Sequence, residues 1–276
     1  MAAHIRIGIS GWRYPPWRGT FYPKGLAQKK ELPYAASKVS IIEINGSFYS
    51  LQRPSSYAGW YASTPDDFVF SVKGPQYITH FTRLKNAGKP LANFFASGVL
   101  CLKEKLGPFL WQLPPNFQFD AERLDSFFEL LPHDMKAAAR LAKDAEPMMR
   151  GRSATEVDKN RPLRHAIEIR HTSFETPEFV RILRRHGVAL VIAESARNWP
   201  MMRDITADFI YMRLHGDKEL YKSGYSDASL DRWAKQMRAW ARKTKDIYCF
   251  FDNTDVKLRA PFDAQTLMKK LGVEWP

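Results

Sequence analysis

Charged and amide side chains stand at the ends of several short apolar runs in this sequence. In the segment 164–171, Glu168 and Arg170 alternate with Ile167 and Ile169, so a β-strand here places a carboxylate and a guanidinium on one face. Buried charges of this kind need partners or water, which predicts a polar pocket on that face. Other apolar runs end in the same way, in Glu43-Ile44-Asn45, Glu194-Ser195 and Arg213-Leu214-His215.

The carboxylates among these residues are suited to acid/base chemistry. Glu43 and Glu168 could act as an acid and base pair. His215 is in register with Arg213 and is the predicted proton-transfer histidine. Arg213 and Lys73 are predicted to hold an anionic oxygen of the substrate, since arginine can bind one through two parallel hydrogen bonds. A buried salt-bridge network and a neutral structural histidine are the alternatives, and the residue types leave both open.

The loops near these strand ends are rich in aromatic residues. Their faces could stack on a sugar or a base, or pack on one another as hydrophobic lids. These aromatics are Trp12, Tyr14, Trp17, Phe48, Tyr49, Tyr77 and Trp199. The predicted catalytic residues are Glu43, Glu168 and His215. The residues predicted to bind the substrate are Trp12, Asn45, Tyr49, Lys73, Gln112, Arg170, His171, Glu194, Arg213, Asp252 and Asn253.

The elements that must position these residues alternate between strands and helices. Eight strand-like runs fall at 5–9, 41–45, 67–73, 109–113, 164–171, 188–194, 209–214 and 247–251. Helical patterns lie between most of them, at 26–39, 55–60, 91–105, 121–131, 177–186, from 227 on, and at 264–271. This alternation predicts an α/β protein with one parallel (β/α)8 TIM barrel spanning 1–276, in which ligand-facing residues sit at the carboxyl ends of the strands. A doubly wound sheet remains the alternative, because a sequence does not show whether the first strand meets the last.

The segment 132–162 departs from this alternation. It begins with an alanine-rich, helix-prone stretch and continues as a polar stretch with several basic residues. We interpret it as a helical and polar insertion before the fifth strand, either a partner surface or a tolerated surface excursion.

Composition excludes several classes of protein. The chain has 276 residues, 45% hydrophobic and 13% aromatic, which excludes disorder. No signal-peptide core or membrane-spanning stretch is found, so we expect a cytoplasmic protein with no membrane partner. The formal charge of +13 favours anionic partners, although the basic residues are spread over helix faces as on an ordinary solvated surface. The sequence does not indicate an oligomeric state.

No cofactor is expected from the motifs. Gly8 and Gly11 lack the third glycine and the following helix of a dinucleotide fingerprint, and there is no phosphate loop. Cys101 and Cys249, the two cysteines, lie in apolar surroundings and are predicted to be free core thiols. A divalent metal held by the acids and histidines is the minority alternative, since the interleaved Arg and Lys side chains would repel it.

Six motifs in order make the chain resemble the DUF72 (YecE-like) family. They are Ile7-Gly8-Ile9-Ser10-Gly11-Trp12, Glu43-Ile44-Asn45-Gly46-Ser47-Phe48-Tyr49, Lys73-Gly74-Pro75-Gln76-Tyr77-Ile78-Thr79-His80, Gln112-Leu113-Pro114-Pro115, Glu168-Ile169-Arg170-His171 and Arg213-Leu214-His215-Gly216. The resemblance implies a fold similar to a TIM barrel and no established activity, with links to sugar isomerases and endonuclease IV-like barrels. Many relatives have two asparagines after the last strand, where this chain has Asp252-Asn253.

Two functions follow as hypotheses. The first is an enzyme, a hydrolase or isomerase, that uses acid/base residues at the barrel mouth on a small anionic or sugar-like substrate, with or without a phosphate. The second is a protein that binds or processes nucleic acid through its positive charge and its loop aromatics. An interaction module without catalysis is the third hypothesis.

Overall fold

A computed structural model describes residues 3–254 and 257–275 and shows a closed barrel of eight parallel strands in sequence order. The strands are β1 His4–Ser10, β2 Ile41–Ile44, β3 Val69–Lys73, β4 Leu106–Gln112, β5 His165–Glu168, β6 Ala189–Glu194, β7 Phe209–Leu214 and β8 Asp246–Phe251. The first strand pairs with the last in parallel, from His4 opposite Asp246 to Ile9 opposite Phe251. The predicted (β/α)8 barrel is therefore confirmed, and the doubly wound alternative is excluded.

Nine α-helices are found in the described part of the chain. They are α1 Glu31–Ala36, α2 Gly46–Tyr49, α3 Pro54–Ala62, α4 Gly88–Ala96, α5 Ala121–Glu129, α6 Met135–Ala142, α7 Pro177–His186, α8 Asp227–Trp240 and α9 Ala260–Leu271. Short 3-10 turns lie at Pro15–Trp17, Gln28–Lys30, Val99–Lys105, Pro147–Met149 and Thr172–Phe174, and a π-helix lies at Tyr77–Phe81. None of these helices has the length and apolarity needed to cross a membrane.

Two compact units can be distinguished within the chain. The first unit comprises the residues up to 43 and those from 189 on, and the second comprises residues 44–188. The first carries β1, most of β2 and β6–β8, and the second carries β3–β5.

Helix caps explain where the best-predicted helices begin and end. The Asp120 side chain accepts from the backbone N–H of Arg123 and caps α5, and aspartate is among the residue types preferred at this position. Thr176 caps α7 at its start, and Gly187 ends it with φ of 62°, a conformation that glycine adopts without a Cβ penalty. Helix α7 therefore has the predicted bounds.

The predicted helix 91–105 is wrong as a single helix. The structure divides it into α4 and the 3-10 turn Val99–Lys105, with Gly98 between them at φ of 101°. A Cβ on Gly98 would lie 2.4 Å from Cα of Pro54, so the chain bends where only glycine fits. The predicted helix 26–39 is likewise shorter, because Gln28–Lys30 form a 3-10 turn and α1 covers only Glu31–Ala36, with Pro33 in its first turn, where proline is tolerated.

The segment 132–162 contains α6, capped by Asp134, and the turn Pro147–Met149. Its two ends meet, because Asp134 and Pro162 form an isolated antiparallel bridge. The side chain of Asn93 on α4 exchanges hydrogen bonds with the carboxylate and the backbone N–H of Glu146. These contacts hold the segment against α4.

The two cysteines are free thiols, as predicted. Cys249 is buried in β8, whereas Cys101 is half-buried in the 3-10 turn after α4. Burial raises the pKa of both thiols, which makes them poor nucleophiles.

His165 on β5 is a buried histidine whose hydrogen bonds fix one neutral tautomer. Its Nδ1 accepts from the indole N–H of Trp111 at 3.2 Å, and its Nε2–H donates to the carbonyl of Pro132 at 2.8 Å. Protonation at Nδ1 would bring two N–H groups face to face. Burial, with a smaller effect of His133, lowers the pKa of His165 to about 4.

This histidine predicts a loss of stability in mild acid. Its ordinary pKa is 6.5, so the unfolded chain binds the proton first as the pH falls. The stabilisation is fully present above pH 6.5, declines by about 1.4 kcal/mol per pH unit below it, and levels off near pH 4. His165→Gln can keep both hydrogen bonds without titrating. We expect its unfolding free energy, measured by urea titration from pH 7 to 4.5, to fall less steeply than that of the wild type. Parallel curves would contradict this prediction.

Candidate active site

Glu43 is the centre of a buried polar network in the first unit. Its Oε1 accepts from the hydroxyl of Ser10 at 3.2 Å and from Nη2 of Arg213 at 2.9 Å. Its Oε2 accepts from the hydroxyl of Tyr211 at 2.7 Å and from Nε of Arg213 at 3.0 Å. A carboxylate has about four lone-pair sites, so these four donors use its capacity. The contacts make Glu43 an anchor for Arg213.

Arg213 connects Glu43 to Asp252 and His215. Its Nη2 donates to Oδ2 of Asp252 at 2.9 Å, and Nδ1 of His215 lies 3.0 Å from the same oxygen. The Asp252 side chain is 13% exposed, whereas those of Glu43, Arg213 and His215 are at most 1% exposed. Asp252 is thus the most solvent-accessible of these four side chains. Nε and Nη2 of Arg213 donate to carboxylates in this network, and the hold of Arg213 and Lys73 on an anionic oxygen of the substrate stays a prediction.

Strand register explains why Glu43, Arg213 and Asp252 lie close together. Glu43 pairs with Ser10 across β2 and β1, and Arg213 lies one residue before the end of β7. Asp252 follows β8 directly and donates its backbone N–H to the carbonyl of Leu214 at 2.9 Å. The network therefore lies at the carboxyl ends of its strands, where TIM barrels carry their reactive groups.

Aromatic rings enclose His215. Trp199 and Tyr221 contact its imidazole edge to face, at centroid distances of 5.5 and 5.3 Å. Tyr221 has φ of 60°, a costly conformation for a residue with a bulky side chain. Its backbone N–H donates to the carbonyl of His215, which holds this ring in place. Trp199 was predicted to lie near the site and does so.

Tyr14 brings a phenol to the same network. Its hydroxyl donates to the carbonyl of Ser10 at 3.1 Å. Burial, and then the charge of Asp252, raise the pKa of Tyr14 well above its usual value, so the phenol remains a hydrogen-bond donor. Trp17 instead packs in an aromatic cluster with Tyr14, Phe21 and Tyr22, and its ring is fully buried. Trp17 therefore cannot stack on a ligand.

Ser10 and Tyr211 were not among the predicted site residues. Tyr211 stands two residues before Arg213, and side chains two apart share a face of a strand. That alternation was an available signal for it. Ser10 ends the first apolar run, but a serine there has no distinguishing property until its partner Glu43 is known.

Two predicted site residues of the first unit have other contacts. Glu194 accepts from the indole N–H of Trp233 on α8 at 2.7 Å, and burial raises the pKa of its carboxyl. Asn253 donates to the carbonyl of Ser223 at 3.1 Å and to Oδ2 of Asp263 at 2.9 Å. These contacts join helices and loops, so neither residue belongs to the proposed site.

A second polar cluster lies in the second unit. Nε and Nη2 of Arg170 donate to Oε1 of Glu168 at 2.8 and 2.7 Å, which confirms that these two side chains share a face. Glu168 is fully buried, and Gln112 is its register partner on β4. The Gln112 side chain is buried as well. The end of β5 thus carries an ion pair, which belongs to the salt-bridge alternative, and the strand ends at Glu168 rather than at residue 171.

Lys73 adds a cation to this second cluster. Its Nζ lies 4.1 Å from the centroid of the Phe48 ring, a cation–π contact, and Phe48 packs edge to face on His80. Burial, followed by the charges of Lys73 and Arg170, lowers the pKa of His80 to about 4. His80 is therefore neutral at physiological pH. It belongs to a recognised motif, but no spacing in the sequence marks it as a site residue.

The remaining predicted residues have varied surroundings. Nδ1 of His171 accepts from the backbone N–H of Ser173 at 3.1 Å and caps a 3-10 turn, a local role that explains its position. Oδ1 of Asn45 is buried and has no hydrogen-bond partner in the described part of the chain. Tyr49 is largely exposed, and Trp12 is buried with its carbonyl accepting from Tyr22.

The minority alternative of a divalent metal site can be compared with the positions of the possible ligands. Among residues 3–254 and 257–275, no group of three or more His, Cys, Asp or Glu side chains is arranged to hold a metal ion. In the network around Asp252, the guanidinium of Arg213 stands between the two carboxylates.

Comparison with known proteins shows the family to which this sequence belongs. The model of the family "Protein of unknown function DUF72" matches residues 6–275. The UPF0759 protein YecE of Escherichia coli is 24% identical over 274 residues, which cover 99% of this chain and 94% of that protein. The UPF0759 protein YunF of Bacillus subtilis is 21% identical over 280 residues, covering 90% of this chain and 88% of YunF.

Solved structures of DUF72 family proteins are also similar to this chain. A DUF72 family protein from Thermotoga maritima has a TM-score of 0.77 and 25% identity, covering 98% of this chain and 99% of its own. One from Enterococcus faecalis has a TM-score of 0.75 and 17% identity, covering 99% and 97%. Since the family model spans nearly all of the sequence and the barrel is shared, this chain belongs to the DUF72 family.

Proposed function

We propose that this protein is an enzyme that carries out acid/base chemistry on a small, polar, sugar-like substrate at Asp252. The supporting observation is the 3.0 Å contact between Nδ1 of His215 and Oδ2 of Asp252, on a carboxylate that Arg213 also holds and that solvent reaches. A carboxylate and an imidazole side by side are residue types that enzymes use for proton transfer.

Each residue of the network has a role in this proposal. Asp252 contacts a hydroxyl of the substrate and accepts its proton, and the imidazole of His215 stands beside the carboxylate, with Nδ1 at 3.0 Å. Arg213 compensates the charges of both acids, and Glu43 positions Arg213. Sugar hydroxyls are donors that match the carboxylate, and ring faces such as that of Trp199 suit the C–H surfaces of a sugar.

The test is a search for turnover followed by substitution. Free sugars, sugar acids and sugar phosphates are incubated with the protein, and their consumption is followed by proton NMR. We expect the wild type to convert at least one of them, and His215→Gln and Asp252→Ala to do so about a hundredfold more slowly. Asp231→Ala removes an exposed aspartate paired with Lys270 and should react at the wild-type rate. Conversion that survives both site substitutions, or a folded wild type that converts no compound, would refute the proposal.

A further inference from the structure

A groove of about 800 Å³ lies in the second unit, lined by residues from 48–51, the π-helix Tyr77–Phe81, the start of α4 and the turn at 146–148. We call it the aromatic groove and define it by Tyr49, Tyr77, Phe81, Lys85, Lys89 and Met148. None of Glu43, Arg213, His215 and Asp252 lines it. A ligand of this groove is thus independent of the proposed enzymatic function.

Exposed apolar side chains concentrate in the aromatic groove. The large hydrophobic residues exposed in the described part of the chain are Tyr49, Tyr77, Phe81, Leu130, Met148 and Met201, and four of these six line the groove. Each of the four is more than half exposed. Scattered exposed hydrophobics are ordinary, but a contiguous set in a concave surface indicates a binding site.

The backbone that presents the aromatics is unusual. Tyr77 and Phe81 stand at the two ends of a π-helix, closed by a hydrogen bond from the N–H of Thr82 to the carbonyl of Tyr77. Arg83 and Asn86 follow with φ of 52° and 51°. π-Helices and left-handed residues are costly, and both are frequent at functional sites. In this segment the unfavourable backbone conformation keeps the rings of Tyr77 and Phe81 exposed to solvent.

Charge selects the kind of ligand. Lys85 and Lys89 are exposed along the groove, and Lys89 also donates to the carbonyl of Asp144. Glu146 is the acid among the lining residues, and the amide of Asn93 binds its carboxylate. With a formal charge of +13 on the whole chain, an anionic ligand is favoured. Aromatic faces beside lysines suit a polymer of unstacked planar rings joined by phosphates.

We propose that the aromatic groove binds single-stranded nucleic acid. Bases stack on Tyr49, Tyr77 and Phe81, and backbone phosphates contact Lys85 and Lys89. Paired bases in a duplex keep their faces stacked on one another, so the groove discriminates against double strands. An acidic peptide could pair with the two lysines. It would bring no planar bases to stack on the three exposed rings.

Fluorescence anisotropy with labelled dT12 and rU12 at low salt tests this proposal. We expect saturable binding by the full-length protein, at least tenfold weaker binding of a duplex of the same length, and a loss of affinity with rising salt. Tyr77→Ala and Phe81→Ala should each weaken binding about fivefold or more. Lys85→Glu should weaken it and reduce the slope of log K against log salt by about 0.7, the value for one phosphate contact on a single strand.

Matched variants outside the groove separate a site from general charge. Leu130→Ala removes an exposed apolar side chain elsewhere, and Lys235→Glu makes the same charge change on α8. Both should bind like the wild type. The proposal is overturned if neither oligonucleotide binds at low salt, if Lys85→Glu and Lys235→Glu weaken binding equally, or if the groove variants lose affinity for an acidic peptide but not for the oligonucleotides.

Discussion

Arg213→Leu is expected to lower the free energy of unfolding by about 3–5 kcal/mol. The substitution removes the cation between Glu43 and Asp252, and leaves a fully buried carboxylate with two of its four donors. Taking an ionised carboxylate out of water costs several kcal/mol, which the guanidinium compensates in the wild type through hydrogen bonds of 2.9–3.0 Å. Leucine fills part of the volume but supplies no donor.

Urea unfolding of Arg213→Leu and of a matched surface variant measures this effect. Lys245 and Asp208 form an ion pair with the same 2.9 Å separation, but their side chains are 74% and 45% exposed. Lys245→Leu should therefore cost no more than about 1 kcal/mol. The double variant Glu43→Gln with Arg213→Leu should recover part of the loss, because it removes one of the orphaned charges. Equal costs for Arg213→Leu and Lys245→Leu would show that burial does not govern this network.

The contrast between Arg213 and Glu194 shows what strand patterns can predict. Both end apolar runs, and both were predicted to bind substrate. In the structure Ala193 pairs with Arg213, and Glu194 pairs with Leu214. Because successive side chains point to opposite faces, Arg213 meets Glu43 while Glu194 meets Trp233 on α8. A sequence gives the alternation within each strand but not the register between strands, and register decides which face is which.

The strands themselves were predictable because each is a short, nearly continuous apolar run. Parallel strands of a barrel are buried on both faces, which produces this pattern. Helix ends were predictable where a cap is visible, as at Asp120 and Gly187. They were not predictable at Gly98, where the break depends on the approach of Pro54 from far along the chain. The role of His171 as a cap was hidden for a similar reason, because it depends on how the loop after β5 turns.

Gly8→Ala is expected to cause a large loss of stability, because Gly8 lies in the strand pair β1 and β2 that carries Ser10 and Glu43. Gly8 is the register partner of Ile41, and a Cβ on Gly8 would lie 1.7 Å from the backbone oxygen of Ile41. A backbone atom in a strand cannot rotate away as a flexible side chain can. In Gly8→Ala the two strands must therefore separate by more than an ångström, which breaks their hydrogen bonds. We expect a loss of at least about 3 kcal/mol, at the upper end of the range for overpacking, or failure to fold.

Gly59→Ala is the matched control, with an effect of opposite sign. Gly59 lies inside α3 and is exposed, and a Cβ added to it would have no other atom within 4 Å. Alanine there should raise the free energy of unfolding by about 0.5–1 kcal/mol, because it reduces the freedom of the unfolded chain in a helical position. Urea titrations of both variants beside the wild type give the comparison. A Gly8→Ala protein within about 1 kcal/mol of the wild type would mean that β1 and β2 can shift apart at little cost. Glu43 would then be held by Arg213 and Tyr211, and the spacing of these two strands would not matter.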